Sequence, residues 1–384
     1  APVLNAIDLI DLDKVILPNL RYGLVTAQHA RTKSGVPSRV VLNNKVLLKK
    51  LFSPEHGLDG LARAGEKVSS SVDPLTGLPV YSLYQEKPGN ELNNTSDPHT
   101  DIDAILYDLP DIGARFYTYI ATCLQVAEYC AKHKKKFIVL DRFNPLGGTI
   151  IEGLTLQEKD YSFVGPYSLP NRYGLTIGEL VKLYISEKSL DLDLTVIEIQ
   201  NWRRDMFFPD TSHVFVMPSP NIPNWQTALL YPGTCLIEGT NLSEGRGTPR
   251  PFTWFGAPYI QQEELIQVLD KIPHPGLSLR PQGFIPTFSK NEGLPCPGIA
   301  IEITNCKDVR PVSFMVEVLS SLKELYPEDF QFLQSTNKAL AFIHRLMGIE
   351  FTERQQWNLD YFNKQVISDT QCYKERINRI LLYE

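Results

Sequence analysis

The sequence has no run of apolar residues close to the roughly 20 that a membrane-spanning helix needs, so no membrane span is expected. It also lacks a basic excess: 38 Lys and Arg stand against 44 Asp and Glu, a net charge of −6. The densest basic stretch, Lys132 to Lys136, reads as a short solvated helix end before a strand, and no nucleic-acid partner is expected. The six cysteines show neither CxxC nor metal-ligand spacing. Cys123 and Cys130 share a predicted helix about 10 Å apart along its axis, beyond the roughly 7 Å that a disulfide spans, so buried free thiols are expected. There is no HExxH and no GxxxxGK[ST]. Gly245-Arg246-Gly247 lacks the third glycine and the strand-to-helix context of a dinucleotide site. His29 and His56 with nearby Asp residues have no ligand spacing, and neither a metal nor a cofactor is expected.

The 384 residues are 43% hydrophobic and 21% charged, an ordinary globular composition with length enough for two domains. Short apolar runs at 21–27, 46–53, 103–109, 137–141 and 193–199 read as strands buried on both faces. Helical patterns at 116–132 and 176–187 alternate with them, the second opening on the capping-box spacing Thr176-Ile177-Gly178-Glu179. The alternation predicts a doubly wound, mostly parallel α/β sheet over residues 1–205. From about 206 the texture changes. Residues 208–259 are rich in Pro and Gly and read as long ordered loops, while 261–272 and 311–326 read as helices and 298–304 as a strand. Residues 206–384 therefore read as a smaller α+β domain. The polar insert Gly89 to Thr100 reads as a surface loop.

Three predicted strands run into acidic residues: Glu55-His56-Gly57, Asp108-Leu109-Pro110-Asp111 and Asp141-Arg142. The carboxyl ends of parallel strands share one edge, where ligands bind, so these carboxylates converge there and some of their pKa values should rise. Glu55 sits between Pro54 and Gly57, a pattern that fits a fixed catalytic turn and also a solvated strand end. His56 is read as either orienting that turn or touching substrate. Asp111, Arg115 and Tyr117 gather at a helix start beside the turn at Gly113; an i,i+4 pair is the plain alternative, and a ligand-facing role is favoured. Asp141, Arg142 and Asn144 pack a tight strand exit, with Glu152 following on a Gly-flanked loop. The loop Glu238 to Thr248 offers Asn241, Glu244 and Arg246 among three glycines that permit close backbone approach. Nearby aromatics (Trp225, Phe252, Trp254, Phe255) suit a sugar face or an ordinary core equally.

The segments FSPEHG, VDPLTGLPVYSLY, DLPDIGARFYTY, VLDRFNPLGG, GLTIGEL, PSPNIP and YPGTCLIEGTNLSEGRGTPRPF together closely resemble the bacterial exo-β-N-acetylmuramidase family over nearly the whole chain. The resemblance implies a Rossmann-like domain with a smaller one appended, an active-site cleft between them, and release of N-acetylmuramic acid from the non-reducing end of peptidoglycan fragments. It places the catalytic glutamate at Glu55, as general acid. For the partner carboxylate the choice is Glu152, with Asp111 and Glu244 behind it. Arg115, Arg142 and Arg246 are candidates to pair with the lactate carboxylate of muramic acid. Where relatives read Thr-Asn this chain has Thr26-Ala27, and where they have His it has Tyr173. Two other readings are a non-catalytic muropeptide-binding protein and a metal-dependent amidase or deacetylase. Such a substrate implies a periplasmic or secreted location, with any signal peptide already removed before Ala1.

Overall fold

The computed structural model describes residues 1–10, 16, 19–61, 71–83, 99–334, 342–348 and 358–384. Most of the polar insert predicted at 89–100 lies outside these residues.

The first sheet holds seven strands: β1 (Arg21–Val25), β2 (Leu47–Ser53), β3 (Ser71–Val72), β4 (Pro79–Ser82), β5 (Ala104–Tyr107), β6 (Lys136–Leu140) and β7 (Leu194–Ile197). Their spatial order is β3-β4-β2-β1-β5-β6-β7. All pairings are parallel except the short β3–β4 contact at the edge. Taken in order of succession, the six parallel strands run 3-2-1-4-5-6, the doubly wound order whose direction reverses between β1 and β5. The runs Leu24-Val25, Ala104 to Tyr107 and Phe137 to Leu140 are buried throughout, as expected for strands covered on both faces. The helices α1 (Ser38–Asn43), α2 (Tyr119–Lys132) and α3 (Ile177–Lys188) connect them. The capping box at α3 forms as read: Glu179 N donates to Thr176 Oγ1 at 3.2 Å and Thr176 N to Glu179 Oε2 at 3.0 Å.

The second unit is built on an antiparallel sheet, β8 (Trp254–Gly256), β9 (Leu277–Pro281) and β10 (Gly298–Ile303), in the order β8-β10-β9. With it go α4 (Trp225–Thr234), α5 (Gln262–Leu269), α6 (Pro311–Leu325), α7 (Phe342–Met347) and α8 (Leu359–Ile377). The helix α4 corrects the expectation of loops over 208–259. Pro232 and Gly233 lie inside it, and both disguise a helix in a sequence reading. It forms because Asn224 caps it, accepting from Thr227 N at 2.9 Å, and because nearly every residue is buried. Gly233 has a packing reason: a Cβ there would lie 2.0 Å from the Pro311 carbonyl oxygen, so only glycine admits the start of α6.

The cysteines are all free. Cys123, Cys130, Cys235 and Cys296 are buried, while Cys306 is half-buried and Cys372 exposed.

Candidate active site

The strand β2 delivers Glu55 through a tight turn in which Gly57 N donates to Pro54 O at 3.1 Å. His56 and Gly57 both take left-handed backbone conformations, with φ of 71° and 77°. Gly57 accommodates this freely. For His56 it is a strained conformation, of a kind that persists where surrounding structure enforces it, often at functional sites. Glu55 is only 6% exposed, and its Oε2 accepts from Thr118 Oγ1 at 2.5 Å. Thr118 immediately precedes α2, so the end of one strand and the start of a helix two strands along meet at this carboxylate.

Glu55, His56, Tyr117 and Thr118 form one wall of a cavity of about 120 Å³. The opposite wall comes from later in the chain: Ser219, Asn221, Tyr231, Glu238, Arg246 and Phe252. Glu238 lies in the 3-10 turn Cys235–Gly239 that continues α4, and it meets Arg246 Nη2 at 2.6 Å. Arg246 lies 3.8 Å from Glu244 and over the Phe252 ring at 5.1 Å, while Lys290 approaches Glu244 at 2.8 Å. Four charges thus alternate in a row that starts at the cavity wall with Glu238 and Arg246 and runs behind it to Glu244 and Lys290. Burial lifts the Glu238 pKa above the ordinary carboxylate range, with Glu244 adding to the rise and Arg246 opposing it. Burial disfavours the Arg246 charge, yet the Glu238 and Glu244 carboxylates outweigh it and hold the guanidinium pKa up.

Glu55, His56, Tyr117 and Arg246 are the sequence candidates that line this cavity. Glu152, the partner carboxylate expected from sequence, does not: Val312 N and Ser313 N donate to its Oε1 at 3.1 and 3.3 Å, capping α6, and Arg172 stands 3.5 Å away. Arg115 is fully buried and donates to the carbonyls of Leu154, Leu169 and Leu346, each at 2.6 Å. Burial lowers its pKa to about 9. Arg142 forks onto Asp108 at 2.6 and 3.0 Å and reaches Arg31 O and Ser38 Oγ besides. Arg115 is committed inside the fold, while Arg142, though bonded to Asp108, lies on the wall of a second cavity; neither lines the one that holds Glu55. Asp141 accepts from Gly178 N, Thr176 Oγ1 and Tyr383 OH at 2.7–2.9 Å, serving the N-terminus of α3. Asn144 and Asn241 hold turns, bonded to Leu175 O and Leu146 N, and to Asp329 O and Tyr259 OH respectively. Glu244 is outside the cavity wall and acts on Arg246 from behind.

Asp111 faces a different and larger cavity, of about 390 Å³. It accepts from Gly113 N at 2.8 Å and from Tyr173 OH, and burial raises its pKa to about 6. Among the described residues the wall of that cavity carries one carboxylate. The smaller one holds two, which glycosidic cleavage by paired carboxyl groups requires. Glu238, Thr118, Ser219 and Asn221 line this cavity without having been singled out from sequence. Glu238 opens the dense polar loop singled out above, but nothing in its spacing marks it over Glu244. Among the described residues no group of three or more His, Cys, Asp or Glu is placed to hold a metal ion, and no helix is long and apolar enough to cross a membrane.

Residues 22–226 match the family model described as exo-β-N-acetylmuramidase NamZ, N-terminal, and residues 229–383 match its C-terminal counterpart. The chain belongs to the NamZ family. The peptidoglycan β-N-acetylmuramidase NamZ of Bacillus subtilis is 43% identical over 322 residues, covering 83% of this chain and 77% of that protein. Among solved structures, a DUF1343 family protein from Bacteroides fragilis superposes with a TM-score of 0.88 at 29% identity, covering 100% of this chain and 99% of the other. A second DUF1343 protein from the same species shares the fold, with a TM-score of 0.76 at 24% identity and the same coverage. In this NamZ-family chain both matched segments contribute to the 120 Å³ cavity, Glu55 from the first and Glu238 and Arg246 from the second.

Proposed function

We propose that the chain is a glycoside hydrolase that releases N-acetylmuramic acid from the non-reducing end of peptidoglycan fragments, with Glu55 and Glu238 as its carboxylate pair. The observation that carries this reading is that the two carboxyl groups, brought from opposite halves of the chain, line one cavity. Glu55, held by Thr118, gives its proton to the departing glycosidic oxygen. Glu238 serves as base or nucleophile on the other side: Arg246 favours its ionised form against burial, and its raised pKa makes that form the stronger base. Of the three arginines considered for the lactate carboxylate, Arg246 is the one on this cavity.

Incubation with a chromogenic β-N-acetylmuramide beside the matching glucosaminide tests the reading. The muramide should be turned over and the glucosaminide left. Glu55→Gln and Glu238→Gln should each lose at least about a hundredfold in kcat with an unchanged circular-dichroism spectrum. Near-normal turnover by Glu55→Gln would sink it. Such a substrate puts the working location outside the cytoplasmic membrane, and cell fractionation tests that.

A further inference from the structure

The larger cavity, of about 390 Å³, lies at the reversal of strand order, between the loops that leave β1 and β5. Its volume falls in the range that encloses small molecules, and this position is where doubly wound sheets bind ligands. Two buried polar atoms on its wall have no hydrogen-bond partner: His29 Nδ1 and Asp111 Oδ1. Burial lowers the His29 pKa to about 3, so the ring is neutral; with Nε2 turned to the Pro110 carbonyl at 3.4 Å, Nδ1 is the acceptor. Asp111 Oδ1 is likewise an acceptor at neutral pH. Both atoms can therefore accept from the donors of a ligand. At the same wall the Lys33 ammonium rests on two neutral carbonyls, Val3 O and Thr211 O, each at 3.3 Å, and neither offsets its charge. Phe143, Phe208 and Phe215 supply apolar faces.

We propose that this cavity binds a sugar acid, its hydroxyl groups donating to His29 and Asp111, its carboxylate drawn to Lys33 and its apolar ring face laid on the phenylalanines. The sequence leaving β1, Thr26 to Gly35, has no glycine-rich turn, which disfavours a dinucleotide there. The two cavities are neighbours. Tyr117, on the wall of the smaller one, packs edge-on against Tyr119 at 4.7 Å, and Tyr119 stacks on His29 at 5.5 Å. The inference rests on the proposed muramidase reading for the identity of the acid, which comes from one of two sources. One is released N-acetylmuramic acid; the other is a muramic residue further along the same chain.

The test is calorimetric titration of the full chain carrying Glu55→Gln, with N-acetylmuramic acid and, separately, with a saccharide containing two muramic residues. Lys33→Gln, and Val216→Trp to fill the cavity, are each added to that background. Binding at the larger cavity should weaken about tenfold with Lys33→Gln and vanish with Val216→Trp, and N-acetylglucosamine should not bind there. Response to the free acid alone marks a product site, and response to the longer saccharide as well marks an extended substrate cleft; both support the proposal. Titrations that Lys33→Gln and Val216→Trp leave unchanged overturn it. Because neither residue touches the smaller cavity, loss of this site leaves hydrolysis by the Glu55-bearing chain measurable, and failure of one reading is distinct from failure of the other.

Discussion

Replacing Arg246 with Met isolates the charge that holds Glu238. The guanidinium meets Glu238 at 2.6 Å, and both side chains are mostly shielded from solvent, at 23% and 20% exposure. A hydrogen bond between charged groups in such a setting contributes about 1.5–3 kcal/mol. Methionine fills much of the same volume over Phe252 but leaves burial and the repulsion of Glu244, which favour the protonated form of Glu238, opposed only by the weaker pull of Lys290 and the Cys235 hydrogen bond. At 1.36 kcal/mol per pH unit, the Glu238 pKa should rise by roughly one to two units. A base works only when ionised, so the acid limb of the kcat profile should move to higher pH by that amount. Turnover should recover as the pH is raised. The assay is kcat against pH with the chromogenic muramide for the wild type, Arg246→Met and Arg246→Lys. Lysine restores the charge without the fork, and its acid limb should lie between the other two. A Met profile superimposable on the wild type, or one displaced to lower pH, would refute the role given to this pair.

Glu152→Gln should keep the amide acceptor for Val312 N and Ser313 N and lose the charge facing Arg172, giving near-normal kcat with a lower melting temperature; a large kcat loss in a folded variant would return Glu152 to the active site. Arg115→Met should cost about 3–5 kcal/mol in urea unfolding, since three buried carbonyls lose their donor, and Arg115→Lys should recover only part of it. Asp111 has a folded pKa raised from 3.8 to about 6. The stabilising contribution of its protonated form is complete below the unfolded pKa and is lost as pH rises through the folded one, so wild-type stability should fall relative to Asp111→Asn between about pH 4 and 7. Urea midpoints of the two proteins at several pH values check the sign.

The parallel sheet was legible because its strands are short, wholly apolar and spaced by helical patterns, and the predicted runs overlap β1, β2, β5, β6 and β7. The edge pair β3 and β4 was not, since Ser71-Val72 and Pro79 to Ser82 are too short to carry a periodic signal. The turn that presents Glu55 could be read from Pro54 and Gly57. Its partner could not. A carboxylate beside an arginine in sequence says nothing about which of several acids faces the cavity, and Glu238 and Glu244 differ only in the side of Arg246 they occupy. Arg115 and Arg142 misled for a related reason: a guanidinium suited to a ligand's carboxylate is equally suited to backbone carbonyls or to Asp108.

The last residues of the chain lie against the first sheet. Tyr383 OH donates to Asp141, which serves the start of α3, and accepts from Ile199 N; Leu382 N donates to Glu179, and Arg204 N to the carbonyl of Glu384. During synthesis the N-terminal half therefore emerges with part of its carboxyl edge unfinished and waits for residues made almost two hundred positions later.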